Sequence, residues 1–579
     1  MPAHPAEESR TPAQPADESR TPAQRADEIK TPARGKDADT GRTRLVREIH
    51  EDAARARAEA APELTFSLWR RFADTGDRLA YERVYFDRRR RLAALVLAAH
   101  LDDRQDPALD DLLWSVCDEH SWVLPAHEPE DRPVNEFVDL FAAETGHTLA
   151  EATSLLAGRI DPRVRARVRE EVDRRVLRPL YADPRRMWWE SAAHNWAAVC
   201  AGAAGMAALA LDSEHLPALL PRVERAMEAF LSGTGPDGAC LEGPDYWAYG
   251  FGYFVYFAEA LRDRTGRDLL DDPHVREMAA YPARIDFGDG SRPAFADSLG
   301  HGGYPAGLLD RLTERLGVPV PRRPAEPSFH DDPCYRWAHL SRTLRWSTTA
   351  AAPTEAGPHA YLPDAAIVVA RAGGTAFAAK GGHNDEPHNH LDLGHFVIHA
   401  HGETVLDDLG APEYTRDYFG AGRYDVPQAA AEWHSIPLIA GTAQRPGRDR
   451  RARVLRHDSG QDSLAFTLDL TSAYDTPHLT RFTRAFTWRP GRLEVADSFG
   501  FATADCLVEE LFIARRRPVV RAGTIVWGPV ELDVPASWRV RTEEQEVRGH
   551  DGTRETVHRV RLTARIPPGT HHFVFTVRC

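Results

Sequence analysis

The sequence predicts an α and β chain in two parts, a helical N-terminal half and an antiparallel β-rich C-terminal half, preceded by a tail without a core of its own. Three observations predict it. Apolar residues recur with helical spacing from about residue 43 to 340. Beyond about residue 360 they fall into short runs divided by turn residues, and the first thirty residues are three copies of a Pro/Ala/charged ten-residue unit. Helices first and strands later argue for separate α and β domains, and 579 residues exceed the size at which a single core stops growing.

The repeats MPAHPAEESR, TPAQPADESR and TPAQRADEIK carry almost no large apolar side chain, so residues 1–42 are expected to be a disordered tail. Helical periodicity then runs through RRRRLAALVLAAHLDD, VNEFVDLFAAETGHTLAEATSLLAGRI, VRARVREEVDRRVLRPLYA and HNWAAVCAGAAGMAALALD, giving a helical domain over 43–345. The segment from Ala197 to Leu211 is small and apolar almost all round, as in a helix buried against its neighbours. TTAAAPTEAGP (348–358) reads as a linker. The runs AAIVVAR, AFAAKGG, GHFVIHAHG, AFTLDL, RAFTWRPGRLEVADSF, CLVEELFIAR and THHFVFTVR, with turns such as Arg489-Pro490-Gly491, read as a β-sandwich over 346–579.

A formal charge of −15 excludes a nucleic-acid binder and opposes long-range attraction of a polyanion unless cations gather at the cleft. No run approaches the roughly 18 apolar residues of a membrane helix, and the N-terminus lacks a basic region followed by an apolar stretch. The six cysteines are scattered without CxxC pairs, as in reduced chains. These features lead us to expect a cytoplasmic protein that engages neither membrane nor nucleic acid. Oligomeric state is left open, a homodimer included.

The densest cluster is Gly381-Gly382-His383-Asn384-Asp385-Glu386-Pro387-His388-Asn389-His390-Leu391-Asp392. If extended, it puts His388, His390 and Asp392 on one face. Such imidazoles, with a later carboxylate (Asp407 or Asp408) and His434, suit a His/His/Asp zinc site. The plain alternative is loop-edge histidines satisfied by backbone. A second cluster, Met187 to Trp196, holds Trp188, Trp189, His194 and Asn195; indoles stack on sugar C–H faces, and His and Asn donate to carboxylates. A third, Glu242 to Gly250, carries Tyr246 and Tyr249. Taken singly, such aromatics are more often inter-helix packing.

GGHNDEPHNHLDLGHFVIHAHGETVLDDLGAPEYTRDYFGAGRYD, followed by EWHSIPLIAG, resembles the signature of the heparinase II/III superfamily of polysaccharide lyases. HNW (194–196), DGACLEGPDYW (237–247) and SWVLPAH (121–127) resemble its helical motifs in matching order, and the similarity spans roughly 60–579. The resemblance implies an incomplete (α/α) toroid followed by an antiparallel β-sandwich, with the cleft between them. It implies a catalytic His388, a tyrosine at Tyr246 (Tyr249 second), and His194 and Asn195 on the substrate carboxylate. It also implies one structural zinc held by His390, Asp408 and His434. Trp122, His127, Trp188, Trp189 and Glu242 are then candidate substrate-binding residues, with Arg423 a carboxylate partner or support behind the site.

The chemistry implied is β-elimination on a uronic-acid-containing oligo- or polysaccharide. Removing a proton α to a carboxylate builds a second negative charge, so neutralising donors are needed. A tyrosine of ordinary pKa about 10 needs help to act as a base. His388 or Tyr246 can take the C5 proton and Tyr246 can protonate O4. Two rival readings remain: a metal-dependent hydrolase or oxygenase at His390, Asp408 and His434, and a non-catalytic glycan-binding protein.

Overall fold

A computed structural model describes residues 42–324, 326–348 and 357–579. The expected tail, Arg42 apart, and most of the expected linker lie outside the described residues.

The helices of the described residues include α1 Leu79–Asp102, α2 Leu140–Leu155, α3 Asn195–Ala210, α4 Leu216–Ser232, α5 Pro244–Thr265, α6 Pro273–Ile285 and α7 Trp337–Trp346. Their starts follow local chemistry. Asp139 accepts the Ala142 N–H at 2.7 Å to open α2, Asp272 with Pro273 opens α6, and Pro244 opens α5 after Gly243 at φ +107°. Helix α3 is buried along nearly its whole length against α2, α4 and α5, as its composition predicts. A Cβ on Gly205 would stand 2.6 Å from the Phe257 ring, so glycine there permits the close approach of α3 and α5. The apolar stretch over 134–160 opens with a 3-10 turn at Val134–Glu136 and is α-helical only from Leu140 to Leu155.

The strands are β1 His359–Leu362, β2 Ile367–Ala372, β3 Thr375–Lys380, β4 His383–Asn384, β5 Phe396–Ala400, β6 Glu403–Leu406, β7 Pro437–Ile439, β8 Gly447–Arg451, β9 Arg453–Gly460, β10 Ser463–Asp469, β11 Leu479–Arg489, β12 Arg492–Phe501, β13 Cys506–Ala514, β14 Val519–Arg521, β15 Thr524–Trp527, β16 Val530–Asp533, β17 Arg539–Arg548, β18 Arg554–Ile566 and β19 Gly569–Arg578. They form a five-stranded sheet (β1-β2-β3-β5-β6), an eight-stranded sheet (β14-β15-β16-β19-β12-β11-β10-β9), a four-stranded sheet (β17-β18-β13-β7) and the pair β4-β8. The hairpin β11–β12 turns at Pro490-Gly491 with Arg489 opposite Arg492.

The five-stranded sheet is covered on both sides. Ile367, Val369, Ala376, Ala378 and Val397 face the helical core, whereas Val368, Ala370, Phe377, Ala379, Phe396 and Ile398 face the core shared with the eight-stranded sheet. That two-sided burial is why AAIVVAR and AFAAK read as unbroken apolar runs. The helical and β parts therefore share one sheet as a common wall. Among the described residues, no helix is long and apolar enough to cross a membrane.

Candidate active site

The HNH segment is a loop, which corrects the extended reading. Strand β4 covers only His383–Asn384, and His388 adopts φ +56°. Lys380 Nζ holds Asp392 at 2.9 and 3.0 Å, drawing the segment back onto β3, so Asp392 is engaged by the lysine rather than joined to the trio His390, Asp408 and His434. A left-handed histidine costs of order 1–3 kcal/mol and persists only where neighbours enforce it.

The neighbour that enforces it is Asp297, a residue the sequence reading missed. Its carboxylate is fully buried and collects donors from the HNH loop, from Tyr414 and Tyr418, and from Arg423, 3.5 Å away. On Oδ2 it accepts from His388 Nδ1 at 2.6 Å and Tyr414 Oη at 3.1 Å; on Oδ1 it accepts from His390 Nε2 at 3.1 Å and from the Tyr418 hydroxyl. Burial alone would raise its pKa, but the bonds from His388 and His390 outweigh it and hold the group well below the usual carboxylate range. Because Asp297 is an acceptor, His388 carries its proton on Nδ1 and turns Nε2 outward. That nitrogen lies 3.7 Å from Glu242 Oε1.

Tyr246, on the first turn of α5, stacks on His388 with ring centroids 4.2 Å apart, and its hydroxyl is hydrogen-bonded to Tyr414 Oη at 2.5 Å. Burial, then the charge of Asp297, push its phenol well above the ordinary value, against the Tyr414 bond. Glu242 Oε2 accepts the Asn195 backbone N–H at 3.1 Å at the start of α3, and His194 Nδ1 lies 3.4 Å from Asn195 Oδ1. Tyr246, His388, Asn195, His194 and Glu242 thus meet where the helical and β parts join.

Several expected residues do not join them. Tyr249, three residues along α5, is buried with the Arg336 guanidinium 4.1 Å over its ring and Glu144 beside its hydroxyl, so it is core. Trp122 and Trp189 are each 1% exposed and donate their indole N–H to the carbonyls of Val116 and Val138, which makes them packing residues rather than cleft walls. Trp188, in contrast, is 53% exposed and packs beside His194 and Trp196. His127 touches Trp196 and is held between Asp139 at 2.8 Å and Arg78 at 3.3 Å. Arg423 donates to the Asn389 carbonyl at 3.0 and 3.2 Å, pairs with Asp297 at 3.5 Å and lies over Tyr418, so it braces the HNH loop and its aspartate from behind. Phe419, 50% exposed and beside His388, is a further aromatic at the rim.

Behind His388, the ligand atoms of His390, Asp408 and His434 lie within 4.8 Å of one another. Hydrogen bonding sets both imidazoles: His434 Nδ1 faces the Ala430 carbonyl at 2.9 Å and His390 Nε2 faces Asp297, which leaves His434 Nε2 and His390 Nδ1 as lone pairs. These atoms and Asp408 Oδ2 are buried without a hydrogen-bond partner. Three converging acceptors suit a cation, and the ligand types suit zinc with one further ligand. His395 accepts the Ser435 N–H on Nδ1 at 2.8 Å, which leaves the ring proton on Nε2, 3.4 Å from Asp408 Oδ2 at the side of the pocket. Asp407 instead pairs with Arg515 at 2.8 Å. Buried Arg484, paired with Asp497 and Glu510, donates to the Gly394 and Ser435 carbonyls and anchors both loops of this pocket.

No protein-family model and no curated protein matches the sequence. Solved structures do. The heparan sulfate lyase of Pedobacter heparinus, as a mutant, matches with TM-score 0.63 at 14% identity over 96% of this chain and 87% of that one. Heparinase III matches with TM-score 0.64 at 12% identity over 96% and 89%. The chondroitin AC lyase of Streptomyces coelicolor A3 in complex with chondroitin sulphate matches with TM-score 0.56 at 14% identity over 96% and 82%. The chain has the fold of the heparinase-like polysaccharide lyases, a helical half followed by an antiparallel sheet-rich half.

Proposed function

We propose that the protein is a polysaccharide lyase that cleaves a uronate glycan by β-elimination. The observation that carries this reading is the stacked Tyr246–His388 pair, its imidazole locked by Asp297, lying beside the N-terminus of α3. Structures of the same fold carry the names of heparan sulfate, chondroitin and xanthan lyases, which supports a glycan substrate.

His388 Nε2, free of a proton, takes the C5 hydrogen. The electron pair left behind forms the C4–C5 double bond as the C4–O4 bond breaks, and Tyr246, kept protonated, gives its hydroxyl proton to O4. His194 and Asn195 hold the uronate carboxylate, where the added charge of the transition state collects. Acid–base groups so placed contribute typically about 10²–10⁴-fold each. The stacked rings reach the sugar from one side, which favours substrates whose C5 hydrogen and O4 share a face, such as glucuronate over its C5 epimer iduronate. Zinc, when bound, would tie the loops bearing His390, Asp408 and His434 together. Those side chains are wholly buried, which disfavours a hydrolase acting at the metal.

The test compares wild type, Tyr246→Phe and His388→Ala on glucuronate- and iduronate-containing glycans. We expect wild-type turnover on glucuronate linkages and losses of about 10²-fold or more in each variant, with substrate binding kept. Full activity in both variants would refute the assignment.

A further inference from the structure

A chain of formal charge −15 concentrates six arginines and one aspartate between Arg445 and Arg456. The segment folds as β8 and β9, and β9 is the outer edge of the eight-stranded sheet. Its register places it next to the active-site loop: β8 pairs with β4, Arg451 opposite His383 and Gly447 opposite Asn384. His388 follows His383 by five residues, so chain geometry keeps it within about 18 Å of that pairing.

These cations face solvent. Arg453 and Arg456 meet Asp469 and Asp458 in exposed pairs of the kind that are worth little. Arg445 and Arg450 lie 3.6 and 3.9 Å from Asp475. Arg448 and Arg451 are exposed and, among the described residues, have no acidic partner within 4.0 Å. Their field reaches the loop: burial, then the charges of Arg448 and Arg451 against Asp385, lower the pKa of His383. Guanidinium forks match carboxylate and sulfate oxygens, and an arginine-rich ribbon beside a site raises the local concentration of an anionic ligand.

We propose that the β8–β9 ribbon is a binding subsite for an anionic glycan chain continuing beyond the linkage cut at His388, with Arg448, Arg451 and Arg453 as its contacts. The proposal rests on the lyase reading for the position of the reacting linkage. The ribbon supplies the attraction that the net charge of the protein denies, and it makes affinity depend on chain length and salt.

The experiment replaces Arg448, Arg451 and Arg453 by serine together, with the melting temperature as a check on folding. The probes are heparan sulfate and chondroitin sulfate polymers and tetrasaccharides prepared from each. For the polymer that is turned over, KM relative to that of its tetrasaccharide rises about tenfold and its salt dependence flattens. An unchanged ratio and salt slope overturn the proposal. Equilibrium binding of wild type and variant to the same polymers separates it from the lyase reading. If no glycan is cleaved, binding that still needs polymer length and the three arginines sustains the subsite, and binding indifferent to them, or absent, removes it.

Discussion

Replacing Asp297 by asparagine changes one atom and sets two functions against each other. His388 and Tyr414 donate to one carboxylate oxygen, with the Arg423 guanidinium 3.5 Å from it, and His390 and Tyr418 donate to the other. An asparagine has one acceptor oxygen and one donor amide, so its NH₂ must face one of these sides. If it faces His388, that ring must accept on Nδ1 and carry its proton on Nε2, where it can no longer take the C5 hydrogen. A carboxylate-to-amide change beside a catalytic imidazole costs about 10⁴-fold in kcat by this route. If it faces His390, the ring's proton moves to Nδ1 and points into the metal pocket, and loss of such an orienting partner costs typically about 10–100-fold in metal affinity. Asp297→Asn is therefore expected to lose at least about 10²-fold in kcat, or its zinc, with KM little changed. The assay is turnover across pH on the best uronate glycan, together with metal content of the purified protein. Near wild-type kcat with a full complement of zinc would refute the reasoning.

Trp188→Ala is expected to raise KM while leaving the melting temperature near wild type, whereas Trp189→Ala should destabilise the fold by about 3–5 kcal/mol, since only the second empties core volume; steady-state kinetics and thermal melts separate the two. Chelation of zinc, or Asp408→Asn, should lower the melting temperature together with activity, because the ligands bind loops of the β half; activity lost at an unchanged melting temperature would favour chemistry at the metal. His339, buried in the helical core and bonded to Tyr256 at 2.9 Å, has its pKa lowered by burial from the ordinary 6.5 to about 4. A depressed histidine contributes stability that is complete above 6.5 and lost as pH falls through 4, about 2 kcal/mol of it by pH 5. Urea unfolding at pH 7 and 5 should show this loss in wild type and a smaller one in His339→Asn.

What the sequence revealed divides along physical lines. The buried helix Ala197–Leu211 and the hairpin at Arg489-Pro490-Gly491 were legible because composition and turn chemistry act locally. The metal trio His390, Asp408 and His434 came from the resemblance, and the structure brings their side chains together. Asp297 was not legible: a single aspartate in FADSLGHGG has no periodicity, and its role arises only when the chain near residue 297 meets the loops bearing residues 388, 390, 414 and 418. Trp188 and Trp189 are neighbours of one type, and only their side-chain directions separate a cleft wall from a core residue. The same holds for Tyr246 and Tyr249, which the turn of α5 sends to different surroundings. The HNH loop was misread as extended because periodicity could not anticipate the buried Lys380–Asp392 pair that turns it.

The central claim is that the reaction is an elimination. The measurement that tests it most directly follows two signals in one digest of a glucuronate-containing polysaccharide, the conjugated-enoate absorbance of an unsaturated uronate end and the number of new reducing ends. The account predicts that the two rise together, one enoate for each linkage cut, and that both are lost in His388→Ala. New reducing ends without enoate absorbance would show hydrolysis and contradict it.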